Sequence, residues 1–340
     1  MRRLLALVVA VTCAFGIAAC GSSDDEDSGS TSTPVEAAST TEATADESAS
    51  SGGRYKIGMA NFTLGAPYFI GISKTVERDG QRDGNEVSVT DAKGDAAALT
   101  SNVEDLLAKD VQGIIISGGP LEAAPAALNA IAQKGIPVVL VDRKFQSGEY
   151  TSWVGPDNEA IGRQDGEYIA ERLGGRGKVA IIRGGPADNS IGLARTDGVK
   201  SVLEARGIEI VVAPDFAEWG ADGGLRVMEN LLAKNSDLNA VFCENDSMCL
   251  GAQKAIRDAG KSDQIFIAGV DGQKEALAEI RRGGNYEVTG LNDAVTMGDA
   301  AYARLIELLD GAEAEKDTVI PSPQITRANV DEYYDPNSEF

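Results

Sequence analysis

The chain of 340 residues contains no histidine. That removes the side chain most often used as a general base and as a metal ligand. Basic residues are scarce, with 31 Lys and Arg against 53 Asp and Glu, for a formal net charge of −22. Nucleic-acid binding needs a basic stripe, so an acidic balance of this size argues against it and repels anionic ligands at long range. Cysteine is limited to Cys13, Cys20, Cys243 and Cys249, and without histidine these do not make a metal site. Beyond the first twenty residues no apolar run is long enough to span a bilayer. No Gly-rich dinucleotide fingerprint opens the first helix either, because Gly58 and Gly65 are wrongly spaced. Neither a metal nor a cofactor is expected.

The chain begins with a targeting pattern. Arg2 and Arg3 precede an apolar stretch over 4–19 that ends in small residues, as in an export signal. Ile17-Ala18-Ala19-Cys20-Gly21 resembles a bacterial lipobox. That resemblance implies cleavage before Cys20, a lipid on its sulfur, and a protein held on the outer face of the cytoplasmic membrane. Residues 21–53 are rich in Ser, Thr and Ala, with eight acids and no base. Such a segment cannot bury enough apolar surface to fold and reads as a disordered tether with a reach of roughly 30 Å. Cys243 and Cys249 remain for the folded part, either as a disulfide in an oxidising compartment or as two buried thiols.

From Arg54 onward strand and helix patterns alternate. The apolar run ending in Val138-Val139-Leu140-Val141-Asp142-Arg143 reads as a strand buried on both faces, as in a parallel α/β sheet. Strands are expected over 55–60, 86–90, 113–116 and 138–141, with helices between them. A second series of strands follows over 178–182, 208–212, 240–243, 265–269 and 287–291, again with intervening helices and with a last helix over 295–309. The predicted fold class is α/β, with two doubly wound parallel-sheet lobes and right-handed crossovers. A cleft between two such lobes is the usual ligand site.

Ligands of open α/β sheets bind beyond the carboxyl ends of the strands, so the residues just past each strand matter most. Tyr68 and Phe69 follow the first strand, Ser117 the third, and Asp142 with Arg143 the fourth. In the second series Arg195, Trp219, Asn245, Asp271 and Asn292 occupy comparable places. A sugar hydroxyl both donates and accepts, so Asp, Arg and Asn together suit it, and aromatic faces pack on its C–H faces. Most of these residues also have an ordinary structural alternative: a salt bridge or loop turn for Asp142 with Arg143, core packing for the aromatics, helix capping for Asn245 and Asp271, a surface salt bridge for Arg195, a hinge turn for Asn292.

Six segments in order resemble the periplasmic ribose-binding type of sugar-binding proteins, the solute receptors of ABC importers. They are Pro67-Tyr68-Phe69, residues 101–107, 136–143 and 227–232, Val241-Phe242-Cys243-Glu244-Asn245-Asp246, and Gly269-Val270-Asp271-Gly272. The resemblance spans about 55–330 and implies a type I periplasmic binding protein. Its N-terminal lobe would comprise 54–156 plus 293–321, and its C-terminal lobe 157–292 plus 322–340. Crossovers would lie near 155–157, 292–294 and 321–324, and the hinge would close on ligand. It implies Tyr68, Phe69 and Trp219 as ring-stacking aromatics and Asp142, Arg143, Arg195, Asn245, Asp271 and Asn292 as hydroxyl-binding groups. Three positions depart from the ribose receptors: Ala66 and Ser117 stand where they carry amides, and Phe62 where they carry serine. The expected ligand is therefore a sugar or polyol, not necessarily ribose.

An enzyme finds no catalytic parts here. Asp142 and Asp271 could be cast as a glycosidase pair, but an arginine beside Asp142 would lower its pKa, which is wrong for a general acid. A DNA-binding repressor of the same fold would need a basic head in place of the acidic tether. The expected protein is a monomeric binding protein that hands its ligand to an ABC permease and binds no nucleic acid. The alternative is a sensory receptor presenting a sugar or autoinducer-2-like ligand to a chemoreceptor or sensor kinase.

Overall fold

The computed structural model describes residues 55–145, 148–186 and 191–340. The expected signal segment 1–20 with Cys20, and the expected tether 21–53, lie outside the described residues. In chain order β1 (Lys56–Asn61), α1 (Pro67–Arg82), β2 (Glu86–Asp91), α2 (Ala96–Ala108), β3 (Gly113–Ser117), α3 (Pro125–Lys134), β4 (Val138–Val141) and β5 (Ser152–Pro156) come first. Then follow α4 (Asn158–Arg172), β6 (Lys178–Ile182), α5 (Gly192–Ala205), β7 (Glu209–Val212), α6 (Ala221–Lys234), β8 (Ala240–Cys243), α7 (Asp246–Asp258), β9 (Phe266–Asp271), α8 (Lys274–Arg282) and β10 (Tyr286–Leu291). The chain ends with α9 (Ala294–Leu309), β11 (Asp317–Ile320), β12 (Gln324–Thr326) and the segment beyond.

These strands form two six-stranded sheets, ordered β11-β5-β4-β3-β1-β2 and β12-β10-β9-β8-β6-β7. All pairings are parallel except β10 with β12. Each sheet is covered on both faces, which is why its central strands are apolar throughout. In the first sheet β3 sends Ile114 and Ile116 into a core with Leu99 and Leu106 of α2 and Leu128 of α3. Its Ile115 points the other way, to Ile72 of α1 and Leu305 of α9. The second sheet packs α6, α7 and α8 on one face through Val227, Met248 and Leu277, and α4 and α5 on the other through Ile161 and Val199. Two doubly wound α/β lobes result, as expected.

Three strands escape the sequence patterns. β5 carries Gly155 and Pro156 at its end, β11 is half-exposed at a sheet edge, and β12 has only three residues. None of them offers the unbroken apolar run that marks the central strands. The chain passes between sheets at 156–158, 291–294 and 320–324. Cys243 at the end of β8 and Cys249 in α7 form a disulfide, with Cα atoms 5.5 Å apart. Of the two open alternatives for these cysteines, the structure has the bond.

Candidate functional site

The two sheets place β4 and β9 at corresponding positions in their strand orders, and an aspartate of unusual backbone directly follows β4 and ends β9. Asp142 has φ 68° and Asp271 φ 125°. Among the described residues six non-glycine residues have positive φ, and four of them, Asp142, Glu218, Trp219 and Asp271, line one cavity. Backbone of this kind costs free energy and persists only where the surroundings impose it, so its concentration singles out this cavity as the candidate site.

The surroundings of each strained residue can be named. Asp142 N–H donates to Val154 O at 2.9 Å, tying the end of β4 to β5. The turn after Asp271 is held by Asp246, whose Oδ2 accepts from the N–H groups of Gly272 and Gln273, both at 2.8 Å. The Oδ1 of Asp246 accepts from Tyr286 Oη at 2.6 Å and Thr289 Oγ1 at 2.8 Å. The 217–219 turn is anchored by N–H donation from Ala217 to Arg183 O at 2.9 Å and from Glu218 to Gly184 O at 2.8 Å. A Cβ on Gly184 would run into the Trp219 indole, so glycine is needed there for the close approach.

The cavity has a volume of about 280 Å³. The first lobe contributes the loop 63–69 with Ala66, Tyr68 and Phe69, then Asp142 and Arg143. The second contributes Arg195, Trp219, Asn245 and Asp271, and the crossing between β10 and α9 contributes Asn292. Nine of the ten expected residues thus surround one space. Ser117 is not among the lining residues: it is fully buried at the end of β3, between Asn61 and Val141 in the sheet register.

Arg195 is 2% exposed, which excludes a surface salt bridge. Its guanidinium donates to Asn158 Oδ1 at 2.8 Å, to Glu244 O at 2.6 Å and to Asp271 Oδ1 at 3.2 Å. Asn292 Nδ2 reaches Asp271 Oδ1 at 3.3 Å and Asp142 Oδ1 at 3.4 Å, so it bridges the carboxylates of the two lobes. The Tyr68 hydroxyl lies 3.0 Å from Asn292 Oδ1 and 3.2 Å from Asp142 Oδ1. Across the cavity the Arg143 guanidinium lies 5.9 Å from the centroid of the Trp219 ring. Asn245 serves two purposes: its Oδ1 caps α7 by accepting from Met248 N–H at 2.9 Å, while its Nδ2 donates to Trp219 O at 3.2 Å. Asp271 caps no helix.

Burial raises the pKa of Asp271 to about 8, opposed by Arg195 and reinforced by the Asp246 and Asp142 carboxylates. Burial also lifts Asp246 to about 6, against the four hydrogen bonds it accepts. Tyr68 is raised well above the ordinary phenol range by burial and then by Asp142 and Asp271, so it is a neutral donor.

Two structural residues of the site, Glu244 and Asp246, stand in a segment marked from sequence but are not among the expected ligand-binding residues. Glu244 accepts from Gly184 N–H and from Thr196 Oγ1, both at 2.6 Å, and so fixes the loop beneath Trp219. The signal was three consecutive polar residues, Glu244-Asn245-Asp246, directly after a wholly apolar strand. The arrangement offers donors from Arg143, Arg195 and Asn245, acceptors from Asp142 and Asp271, and two aromatic faces.

Residues 57–313 match the family model described as periplasmic binding protein domain. The chain belongs to the periplasmic binding protein family. Within it the relationship is to the ribose-binding type: the ribose import binding protein of Bacillus subtilis is 32% identical over 78% of this chain and 86% of its own length. An ABC transporter solute-binding protein from Mycobacterium smegmatis, solved with bound glycerol, superposes with a TM-score of 0.79 at 28% identity, over 84% of this chain and 99% of that one. A solute-binding protein from Bacillus halodurans, solved with bound myo-inositol, gives 0.76 at 28% identity, over 83% and 97%. These relatives are binding proteins rather than enzymes, and so is this periplasmic binding protein.

The structure sorts the three departures from the ribose pattern. Ala66 forms part of the cavity wall. Ser117 and Phe62 are not lining residues, and the Phe62 side chain packs against the first lobe's core.

Proposed function

We propose that this protein captures a single monosaccharide or polyol in the strand-end cavity and delivers it to an ABC importer. The observation that carries this reading is the convergence of nine expected residues, from both lobes and the crossing between them, on one cavity of about 280 Å³. That volume lies at the small end of ligand cavities, suited to one ring or a short polyol rather than an oligosaccharide. Arg143, Arg195 and Asn245 would donate to ligand hydroxyls and Asp142 and Asp271 would accept, while Phe69 and Trp219 would cover the C–H faces. A misplaced hydroxyl would leave one of these buried groups unpaired, which is the source of stereochemical selection. Ala66 removes a polar contact from the first lobe, which favours a ligand other than ribose.

Ligand contacts shared by both lobes would hold them closed, and closure would present the importer with a loaded surface. The lipobox-like sequence around Cys20 supports a lipid anchor at the outer face of the cytoplasmic membrane, with 21–53 as tether. The ribose import relative favours an importer over a sensor as the partner. A thermal-shift screen over pentoses, hexoses, inositols and linear polyols tests the reading. At least one should raise the melting temperature by mass action, with ribose not the largest, and no shift from any member would refute a sugar or polyol ligand.

A further inference from the structure

Besides the three backbone crossings, the segment after β12 makes a fourth, non-covalent connection between the lobes. Val330, with Tyr333 and Tyr334 packed beside it, belongs to the core of the second lobe. Phe340, 5% exposed, belongs to the core of the first. Between them, Lys274 Nζ of α8 donates to Ser338 O at 2.6 Å, and Lys74 Nζ of α1 pairs with Glu339 at 2.6 Å. Residues 335–340 therefore step from a helix of the second lobe to a helix of the first, along a groove of about 660 Å³.

The far end of this segment reaches the back of the site. The Phe340 ring meets the Tyr68 ring edge-on, with centroids 5.4 Å apart and planes at 72°. The fit is close at Gly71, where a Cβ would come within 2.9 Å of Ala294 Cβ and 3.2 Å of Phe340 Cβ. Phe340 thus wedges between the first turns of α1 and α9, the latter beginning two residues after Asn292. The Tyr68 hydroxyl faces Asp142 of the first lobe and Asn292 of the crossing. The Lys74–Glu339 pair is half-exposed and contributes little, so the buried ring is the anchor.

We propose that residues 335–340 are an interlobe strap in which Phe340 is a positioning residue. By backing Tyr68 it holds the Tyr68–Asp142–Asn292 contacts and biases the unliganded protein toward closed lobes. This concerns closure itself and stands whether or not the ligand is a sugar.

The test uses the full, unliganded chain. Phe340→Ala should shift its small-angle scattering profile to a larger radius of gyration and, in a Trp153→Phe background that leaves Trp219 as the sole indole, red-shift the tryptophan emission as water enters the cleft, with an unchanged far-ultraviolet circular dichroism spectrum. Phe340→Leu, which keeps an apolar wedge, should stay close to native in both readouts. If Phe340→Ala does not fold, the double variant Lys74→Ala/Lys274→Ala, which loosens the strap from outside, should move both readouts in the same direction by less. Native scattering and native emission, with only the melting temperature lowered, would reduce Phe340 to a core residue and overturn the proposal.

Discussion

The Arg143 guanidinium stands 5.9 Å from the centre of the Trp219 ring, joining the end of β4 in one sheet to the 217–219 turn of the other. It is a contact between lobes, made at the cavity wall by two residues that both have another partner in their own neighbourhood. Trp219 is held in its left-handed backbone by the turn anchored on Arg183 and Gly184. Arg143 follows directly on Asp142, whose backbone is fixed by β5. The backbone of each residue is fixed within its own lobe, so binding between them would not have to order it.

Arg143→Ala should weaken binding of whichever sugar or polyol gives the largest thermal shift by about 2 kcal/mol, on the order of 30-fold, as expected for a lost charged donor. Trp219→Ala should weaken it by at least about tenfold through loss of an aromatic face. Calorimetry measures both, and native circular dichroism should accompany each loss. Unchanged affinity in either variant would remove that residue from the ligand's contacts.

Asp271→Asn should change how stability depends on pH. The native carboxyl titrates near 8 and an unfolded aspartate near 4, so the stability it contributes is complete below about pH 4 and is lost as pH rises through 8. The variant keeps an acceptor for Arg195 but has nothing to ionise. Its urea midpoint, measured without ligand, should therefore improve relative to wild type as pH is raised from 5 to 8. Asp246, lifted to about 6, acts with the same sign and is present in both proteins, so the difference reports Asp271 together with its coupling to Asp246. Parallel midpoint curves would show that Asp271 does not titrate in this range.

Replacing Cys243 and Cys249 together by serine should cost about 2 kcal/mol of stability, the entropy of closing so short a loop in the unfolded chain. Asn245 lies inside that loop, yet its cap to Met248 and its bond to Trp219 remain. Chemical denaturation should register the loss, while ligand affinity falls less than threefold. A larger fall in affinity would mean that the disulfide itself holds Asn245 in place.

Cys20→Ser should release the protein from the membrane fraction of the cells that export it, because no thiol would remain to carry the lipid. Continued sedimentation with membranes would refute the anchor.

Local chemistry made much of this legible. An apolar strand that stops on Asp142-Arg143 can be read because burial on both faces forces an unbroken apolar run and the ligand edge of a parallel sheet forces polar residues beyond it. The same logic finds Asp271, Asn245 and Asn292. It fails for β5, whose run is broken by Gly155-Pro156, and for β11 and β12, which are short edge strands without an apolar run. It also misplaces Ser117, which ends its strand as Asn245's neighbours end theirs but stays inside the sheet instead of facing the cleft.

The sequence by itself determined the two-lobe α/β plan and which residues stand at strand ends. Periodicity and burial are local properties and can be read in order. Tertiary structure alone decided which strand ends share a cavity, because a residue's direction past its strand depends on the backbone φ imposed by distant partners. Asp271 takes its conformation from Asp246, Trp219 rests on Gly184, and Tyr68 is backed by Phe340 from 272 positions away.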